Sequence, residues 1–588
     1  MKFKSIPYIF ISAALAVVAL EITSCKNWLT VNPVSSFGPD AVFGTVANAQ
    51  KAVFGAYQEL AGDQGYGIRL SMYYPYDDDC IMGAGGDGDN DRRDLGRYNL
   101  TAGNAQLAKP FNQLYAGIER ANQCIKYIPQ MSLYKNGTEQ QQGELKRLYG
   151  EALTLRAQFY FELVTTWGDV PAQWIPSADI PDLFLKKTSR DTIYTHILND
   201  LNTAEALVPW PSGVSALGDA NDERITKGAV KGLRARVALF AGGYSLKTDN
   251  KMERVANYKQ FYEIADTECE SVIQSGEYSL DPSFQDLWQN QLDAHKIDPY
   301  HEIMFQVAMA GATSATDSKL GYYDGPGGSL TALPTYFYMF DSADTRRDVT
   351  IAPYKINSDN TLAPSGITAL YDGKFRRNWI TNPTLDIGNK AQNFGLNWPI
   401  LRYSDVLLMY AEAENELHQG PTPQAIAAYN QVRSRAFAGN MNGAGTPPSD
   451  YVGFFSAIIK ERALEFGGEG QRKYNLIRWD SLGAKLAERK QQMQAMSQGL
   501  PPYNTLPKNM YYMPNTSTTT VDWVTSFYQP APSIPPAGAK SVSWITSSIW
   551  SGNLAKYAEG FKYDHSELYP IPQSSVDANP NLTQDYGY

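Results

Sequence analysis

Two apolar helical patterns separated by a proline break occupy residues 398–479, and they limit how the chain can fold. The first pattern places six apolar residues on one helical face: Tyr403, Val406, Leu407, Tyr410, Ala411 and Leu417. A Gly-Pro pair ends this pattern, Thr422 can cap the following helix, and Pro423 suits its first turn. The second pattern continues through Ile426, Tyr429, Val432 and Ala436. Two antiparallel helices joined by a short turn are therefore predicted.

The first half of the chain carries more patterns of the same kind. They cover residues 47–61, 111–128, 144–167, 192–207, 227–244 and 258–275. With the opening pair they predict at least eight helices, many joined as antiparallel hairpins. The spacing of successive hairpins approaches the tetratricopeptide period of about 34 residues, in which stacked hairpins bury a continuous apolar seam. The predicted fold is mainly α, a tetratricopeptide-like frame of helical hairpins.

Two long segments lack a helical period. Residues 280–398 and 501–563 are rich in loop-forming and aromatic residues, with short apolar runs such as a predicted strand at 303–309. Both are too long to be simple connections, so we expect an irregular, loop-rich lobe with short strands beside the frame. The predicted segments are a signal peptide at 1–24, an N-terminal frame at 25–279 with a ligand-loop insertion near 62–104, an irregular ligand-binding lobe at 280–398, C-terminal helical hairpins at 399–480, and a variable loop-rich segment with a C-terminal signature at 481–588.

The N-terminus is typical of an exported bacterial lipoprotein. Lys2 and Lys4 precede an apolar run at 6–20 that is too short for a good membrane span. Small residues then stand directly before Cys25, as they do at a lipoprotein cleavage site. We expect Cys25 to become the lipidated first residue of the mature chain. The alternative is an ordinary secretory signal with an incidental cysteine.

Composition and spacing argue against several classes of protein. The formal net charge of −10 argues against a nucleic-acid partner, which would require a basic face. The remaining cysteines, Cys80, Cys124 and Cys269, are too widely spaced for a disulfide framework or a paired metal site. A GxGxxG match at 83–88 lacks a βαβ pattern and lies among aspartates that would repel a pyrophosphate. No cofactor is predicted.

The acidic run at 87–91 also raises the question of calcium. Its alternating carboxylates could bind the ion, but Tyr98 stands where an EF-hand needs its bidentate glutamate. A solvated loop is therefore the preferred interpretation. Calcium is possible here, and no metal site is predicted.

Signatures of catalysis are missing from the sequence. It has no zincin histidine pair, no GxSxG and no P-loop, so no enzyme is predicted. Glu461, Glu465 and Glu469 recur at helical spacing on one face, whereas a glycosidase needs two carboxylates across a cleft. We interpret such charged residues in helices as supports of the fold. Four are singled out for that role: Arg156, Glu412, Glu461 and Arg472.

Aromatic residues in loops are the main signal of binding. The chain has 38 Tyr and 11 Trp, and only 19% of its residues are charged. A sugar ring presents an apolar C–H face and a rim of hydroxyls, so it needs an aromatic platform beside polar groups. The loops around 73–76 and 288–323 are expected to meet on one face, unless these rings pack the lobe's own core. The predicted ligand-binding residues are Tyr73, Tyr74, Tyr76, Asp77, Asp78, Trp288, Tyr322, Tyr323 and Trp379.

Five motifs, in order, carry a resemblance to a known family. They are CKNWLTVNPVS at 25–35, FNQLYAGIERAN at 111–122, EALTLRAQFYFELVTTWGDVP at 151–171, RYSDVLLMYAEAENEL with IKERALEFGGEGQRKYNLIRW within 402–479, and LYPIPQSSVDANPNLTQDYGY at 568–588. Together they resemble the SusD/RagB family of outer-membrane nutrient-binding lipoproteins of Bacteroidetes. Phe111 replaces the family's usual Trp, and Asp585 and Tyr586 stand where Asn and Pro are usual.

The resemblance implies a function as well as a fold. It implies a tetratricopeptide-like frame with a ligand-binding lobe, anchored by lipid to the outer membrane at the cell surface. It also implies capture of an oligosaccharide for a SusC-like TonB-dependent β-barrel transporter, without covalent chemistry. The motifs are mainly scaffold, so they assign no ligand contacts. Two alternatives stay open: capture of a peptide by the same architecture, and a secreted glycan-degrading enzyme.

Overall fold

The computed structural model describes residues 38–83, 90–217, 223–309, 311, 315–381 and 392–588. The predicted signal peptide at 1–24, Cys25, and the acidic run apart from its last two residues lie outside this part. Twelve helices of seven or more residues occur within it: α1 (Val46–Tyr57), α2 (Asn90–Arg97), α3 (Ala108–Tyr127), α4 (Glu139–Trp167), α5 (Arg190–Glu205), α6 (Lys227–Ala241), α7 (Lys259–Ser275), α8 (Tyr403–His418), α9 (Pro423–Ala436), α10 (Tyr451–Phe466), α11 (Arg472–Arg478) and α12 (Leu482–Ser497).

Strands are short, as predicted for the irregular regions. They are β1 (Ile81–Met82), β2 (Val170–Pro171), β3 (Lys187–Thr188), β4 (Ser245–Leu246), β5 (Met252–Glu253), β6 (Ile303–Val307), β7 (Thr331–Ala332), β8 (Ile351–Ala352), β9 (Tyr354–Ile356), β10 (Leu362–Pro364), β11 (Tyr371–Asp372), β12 (Trp398–Arg402), β13 (Asn509–Met513), β14 (Asp522–Trp523) and β15 (Lys540–Ser543). Helices of four to six residues lie at Pro39–Val42, Ser132–Asn136, Pro211–Val214, Pro334–Phe337, Arg347–Thr350, Met441–Ala444 and Gln573–Ala578. None of the helices in the described ranges combines the length and the apolar character that a membrane span requires.

The helical frame is a series in which each helix packs on the next. Helix α3 packs on α4, α4 on α5, α5 on α6, α6 on α7, and α7 on α8. The longest, α4, begins with a capping box in which Thr138 and Gln141 satisfy each other's backbone N–H groups. Helix α9 begins as predicted, with the Ala425 N–H donating to Thr422 Oγ1 and Pro423 in the first turn. The prediction of a mainly α frame is confirmed.

The irregular lobe is an insertion between α7 and α8. At its base β6 pairs with β12, so the chain leaves and re-enters the frame at one place. The predicted strand at 303–309 is confirmed at Ile303–Val307. Strand β12 precedes the first helix of the C-terminal pair, which therefore begins at Tyr403. The segment from 481, predicted to be loop-rich, opens instead with helix α12, because its apolar residues keep a helical period as far as Met496.

One four-stranded sheet joins the lobe to the loop that follows α1. Its order is β1-β7-β11-β8, and each neighbouring pair is antiparallel. Strand β1 comes from the predicted insertion near 62–104, whereas the other three strands come from the lobe. The sheet therefore joins the predicted insertion near 62–104 to the lobe.

Buried ion pairs hold the frame together. Arg402 contacts Glu302, Glu465 and Glu469, and all four side chains are enclosed. The four charged residues interpreted as supports all have such partners. The pairs are Arg156 with Asp200 at 2.8 Å, Arg478 with Glu412 at 2.7 Å, Arg346 with Glu461 at 2.7 Å, and Arg472 with Asp79 at 2.6 Å. Because a carboxylate left alone in the interior is costly, these contacts explain why the charges lie inside.

Candidate ligand-binding face

Five of the seven predicted platform rings lie in the core. Tyr74, Tyr76 and Trp288 are fully enclosed, and Tyr73 and Trp379 are each 7% exposed. The Tyr74 ring packs edge-on against Trp167 and Tyr569. A ring enclosed in this way has no face to offer a sugar. For Tyr74, Tyr76 and Trp288 the interpretation as ligand platforms is therefore corrected to core packing.

Trp379 has a different partner with the same consequence. The Arg376 guanidinium lies 3.9 Å from the centroid of its ring, within cation–π range. The ring face is thus occupied by the protein itself. Trp379 supports the lobe, and its proposed contact with ligand is corrected as well.

The two predicted aspartates shape the loop after Tyr76. Asp77 pairs with Arg97 at 2.8 Å and accepts the Ala558 N–H at 2.9 Å. Asp78 Oδ1 accepts the N–H groups of Cys80 and Ile81. Burial, together with the neighbouring charge of Asp79, raises the pKa of Asp78 to about 7. Both carboxyl groups are enclosed and engaged by the protein, so the prediction that they contact ligand is corrected.

Asp78, Asp79 and Cys80 form a cluster whose potential metal-binding atoms all lie within 4.8 Å of one another. Asp79 is already neutralised, because Arg472 donates to its two carboxylate oxygens at 2.6 and 2.9 Å. Although burial opposes the change, Arg472 lowers the pKa of Asp79 to about 2. A cation here would be repelled by a guanidinium in direct contact with its ligand, so the cluster does not fit a metal ion.

Tyr322 and Tyr323 are the two predicted rings that remain half-buried and keep accessible surface. Their ring centroids lie 5.0 Å apart with the planes at 88°, an edge-to-face pair. A tight turn fixes them, because both backbone N–H groups donate to the Lys319 carbonyl at 3.2 and 3.1 Å. Gly321 takes a φ of +76° in this turn, which favours glycine.

The loop beyond the pair is held just as closely. The Ser329 N–H donates to the Tyr323 carbonyl at 2.5 Å. A Cβ on Gly325 would lie 2.4 Å from the Phe375 carbonyl oxygen, so the backbone could approach this closely only at a glycine. The two rings therefore sit on a preorganised surface loop.

Tyr73 belongs to the other predicted ligand loop, and its ring is held by two arginines. Arg92 Nη1 donates to the Tyr73 hydroxyl at 3.1 Å, and the Arg69 guanidinium lies 5.7 Å from the ring centroid. Burial raises the pKa of Tyr73, and Arg92 opposes the rise. The backbones of the two regions meet directly, because the Lys319 N–H donates to the Gly67 carbonyl at 3.0 Å. The structure thus places the two sequence-distant loops together.

Polar groups beside the rings are what sequence reasoning missed. Arg377 Nη2 donates to the carbonyls of Ile356 and Asn357 at 2.7 and 2.5 Å. The Ile356 N–H in turn donates to the Pro326 carbonyl at 3.2 Å, which joins Arg377 to the loop beyond Tyr323. Lys319 Nζ donates to Asn393 Oδ1 at 2.9 Å. The one sequence signal that could have identified Lys319 and Arg377 was that they lie close to Tyr323 and Trp379 in the chain.

We call the surface formed by Arg92, Lys319, Tyr322, Tyr323 and Arg377 the tyrosine face. Tyr73 is buried and supports this face through its hydrogen bond with Arg92, so its predicted contact with ligand is corrected to a supporting role.

Buried carboxyl groups lie directly behind the tyrosine face. Asp324 follows Tyr323, is enclosed, and accepts the Gly321 N–H at 2.6 Å. Burial raises the pKa of Asp324 to about 7. Burial and the neighbouring Asp324 also raise the pKa of Asp372 well above its ordinary value, and Asp372 Oδ2 has no hydrogen-bond partner among the described residues. Burial and their mutual repulsion thus both oppose ionisation of these two acids.

A deeper pocket of about 320 Å³ lies on the frame, between α1 and β6. Its walls are largely apolar, and they contain none of the predicted ligand residues. Its charged residues are already engaged: Arg224 with Glu144 and Glu151, and Glu223 with Asn397. The tyrosine face is the stronger candidate because it carries the two predicted rings that keep accessible surface, with polar side chains beside them.

Comparisons with known proteins agree with this fold. The model of the SusD family matches residues 335–588, and a SusD-like model described as starch-binding associating with outer membrane matches 89–239. SusD-like protein P2 of Formosa agariphila is 24% identical over 488 residues, which cover 79% of this chain and 89% of the relative. The chain belongs to the SusD family.

Solved SusD structures share the architecture. A SusD homolog from Bacteroides thetaiotaomicron superposes with a TM-score of 0.74 at 22% identity, covering 93% of this chain and 98% of that one. A laminarin-binding SusD-like protein gives a TM-score of 0.62 at 21% identity, covering 92% and 99%. Tyr73, Tyr322 and Tyr323 lie outside both ranges matched by family models. The SusD match therefore describes the scaffold, and the tyrosine face has to be argued from its own geometry.

Proposed function

We propose that this SusD-family chain is a non-enzymatic glycan-binding lipoprotein that captures an oligosaccharide on the tyrosine face. The observation that carries the proposal is the edge-to-face pair of Tyr322 and Tyr323, half-buried and fixed on a rigid turn. Such rings can stack on the C–H face of a sugar, while Arg377 and Lys319 beside them can bond to hydroxyls. Among the structural neighbours, one binds laminarin and another is a surface glycan-binding protein A from Bacteroides fluxus.

The chemistry of the face favours neutral, hydroxyl-rich ligands at modest affinity. Two ring faces and a few hydrogen bonds give weak binding per sugar, in the range of about −4 to −8 kcal/mol, or millimolar to micromolar Kd. Because the turn is preorganised, little affinity is lost to ordering the loop. The cationic rim also tolerates an acidic sugar, which a set of uncharged and charged oligosaccharides would reveal.

The cellular part of the proposal rests on the N-terminal sequence and the family. We propose anchorage in the outer membrane through a lipid on Cys25, with the tyrosine face at the cell surface. The partner would be a SusC-like TonB-dependent β-barrel transporter that receives the oligosaccharide. The family model described as associating with outer membrane supports this location.

A double substitution tests the face directly. Tyr322→Ala with Tyr323→Ala should lower the affinity for a glycan that the parent binds by on the order of 1–3 kcal/mol per ring, by analogy with base stacking on aromatic side chains. The matched control is Tyr563→Ala, because Tyr563 is an exposed tyrosine outside the tyrosine face. Calorimetry against oligosaccharides and peptides, with product analysis, also separates glycan capture from peptide capture and from hydrolysis. Unchanged glycan affinity in the double variant would contradict the assignment of the face.

A further inference from the structure

The loop between β2 and β3 exposes a group of large apolar side chains. Ile175, Leu183 and Phe184 are 48%, 60% and 51% exposed. They fall within ten consecutive residues of one hairpin, whereas single exposed apolar residues elsewhere on a surface are ordinary. We call these three side chains the apolar tip. A grouped patch of this kind indicates contact with something outside the chain.

The protein holds the apolar tip in place from two sides. On one side, Asn122 of helix α3 donates to the Ile175 carbonyl at 3.2 Å. On the other, Asn581 and Asn579 of the C-terminal segment donate to the carbonyls of Phe184 and Leu185 at 2.6 and 2.9 Å. The backbone is thus fixed, and the side chains face outward as a consequence of the fold.

The apolar tip lies near the point where the described chain begins. Lys126 Nζ pairs with Asp179 of the same loop at 2.6 Å. The next residue, Tyr127, stacks on Phe43 with ring centroids 5.3 Å apart. Cys25 precedes Gly38 by 13 residues, which can span at most about 45 Å. A lipid on Cys25 would therefore keep the membrane surface within reach of this side of the molecule.

The charges around the apolar tip suit an approach to lipid. Asp179 is paired with Lys126, and Lys187 is paired with Asp585. Asp182 accepts the Phe184 N–H at 2.9 Å, while Lys186 is exposed beside the tip. Asp179 is thus neutralised by Lys126, and the exposed Lys186 ammonium offsets the exposed Asp182 carboxylate and can meet phosphate headgroups.

We propose that the apolar tip enters the interfacial layer of the membrane and acts as a second attachment beside the lipid on Cys25. The inference rests on the anchored-lipoprotein part of the proposed function. A lipid at the end of a tether holds a protein near the membrane without orienting it, and a second apolar contact adds both affinity and a fixed orientation. The tip would thereby set which way the tyrosine face points.

Fluorescent labelling tests this contact in the lipidated chain. Cys80, Cys124 and Cys269 are buried, so a cysteine introduced by Leu183→Cys can be labelled selectively with a polarity-sensitive dye. In vesicles of phosphatidylethanolamine and phosphatidylglycerol, the dye at 183 should shift to the blue and be quenched by a lipid-borne quencher. A dye introduced by Val452→Cys, at a side chain 67% exposed on α10, should do neither. An unchanged spectrum at 183 would overturn the proposal.

Flotation of a chain expressed without residues 1–25, which therefore lacks the lipidated Cys25, measures the membrane affinity of the apolar tip without that of the anchor. Leu183→Asp with Phe184→Asp should lower its partitioning onto the same vesicles at least about tenfold, because the substitutions remove the apolar contact and add carboxylates that the anionic headgroups repel. Val452→Asp should leave partitioning unchanged. Equal partitioning of all three chains would overturn the proposal. If mass spectrometry found no lipid on Cys25, the anchor would be wrong, and this arm would still decide the role of the tip.

Discussion

Arg472 donates from Nε and Nη2 to the two oxygens of Asp79, and this contact ties helix α11 to the loop that carries Tyr73. Both side chains are enclosed. Arg472→Ala leaves the buried Asp79 carboxylate with only the longer contact to Arg489 at 3.6 Å, so we expect the free energy of unfolding to fall by about 3–5 kcal/mol. Urea denaturation measures the loss. The control is Lys485→Ala, which breaks a partly exposed pair with Glu488 and should cost roughly 0–1 kcal/mol.

The same contact separates support of the fold from contact with ligand. Where folded Arg472→Ala protein remains, its affinity for glycan should be close to that of the parent, because Arg472 is buried and its hydrogen bonds go to Asp79 and the Ile459 carbonyl. Full stability together with complete loss of binding would contradict the role assigned to Arg472.

Substitution of Tyr74 tests whether this ring belongs to the core or to a ligand platform. It is fully enclosed between Trp167 and Tyr569, and its hydroxyl donates to the Gln106 carbonyl at 2.8 Å. Tyr74→Ala opens a cavity and removes that bond, so we expect a loss of about 3–5 kcal/mol in unfolding free energy. Exposed Tyr563→Ala should stay within about 0.5 kcal/mol. Thermal denaturation followed by circular dichroism compares the two, and equal stability of both variants would restore Tyr74 as a surface ring.

The acid pair behind the tyrosine face makes stability depend on pH. Burial raises the pKa of Asp324 to about 7, above its unfolded value near 3.9, so the folded state holds the proton more tightly. This contribution is fully present below about pH 4 and is lost as pH rises through 7. Asp324→Asn keeps the acceptor for the Gly321 N–H and cannot ionise. It should match the parent at low pH and exceed it in stability at pH 8.

Denaturant titrations at several pH values check this dependence. The matched control is Asp522→Asn, because Asp522 is exposed and its substitution removes a charge outside the interior. A difference between parent and Asp324→Asn that stayed constant across this range would show that the pair does not titrate there.

Replacement of Cys25 tests the proposed anchor. Cys25→Ala removes the thiol that a diacylglyceryl group would modify, so the protein should move from the membrane fraction to the soluble fraction. Fractionation with immunoblotting follows the shift, and mass spectrometry of the parent detects the lipid. A parent without lipid whose membrane partitioning equals that of the variant would refute the anchor.

The frame could be predicted from the sequence because a helix shows a local pattern of apolar residues and caps. Apolar residues at a 3.6-residue period and the cap formed by Thr422 and Pro423 are sufficient for α9. The main error in predicting the frame was at α12. This helix opens a segment whose later part is rich in Pro, Ser and Thr, so the whole segment was predicted to be loop-rich. The charged supports were equally readable, since each stands among apolar neighbours on a helix.

The site was harder because burial of a loop depends on partners far away in the sequence. Tyr76 stands among acidic residues, a context typical of the surface, yet β1 pairs with β7 and draws this loop inside. Trp288 is likewise covered by Phe375, which lies in another part of the lobe. Local composition cannot distinguish Tyr76 from Tyr323, because the sheet that covers one and leaves the other accessible is formed by non-local pairing.

The placement of the lobe between α7 and α8 bears on how such a protein can acquire new ligands. Those two helices pack on each other directly, and β6 with β12 closes the insertion at its base. Turns of the lobe can then change length and sequence while the packing of successive helices in the frame is preserved. A lineage could exchange its recognition loops as a cassette, and a designer could graft a foreign loop at 319–330 with the frame left intact.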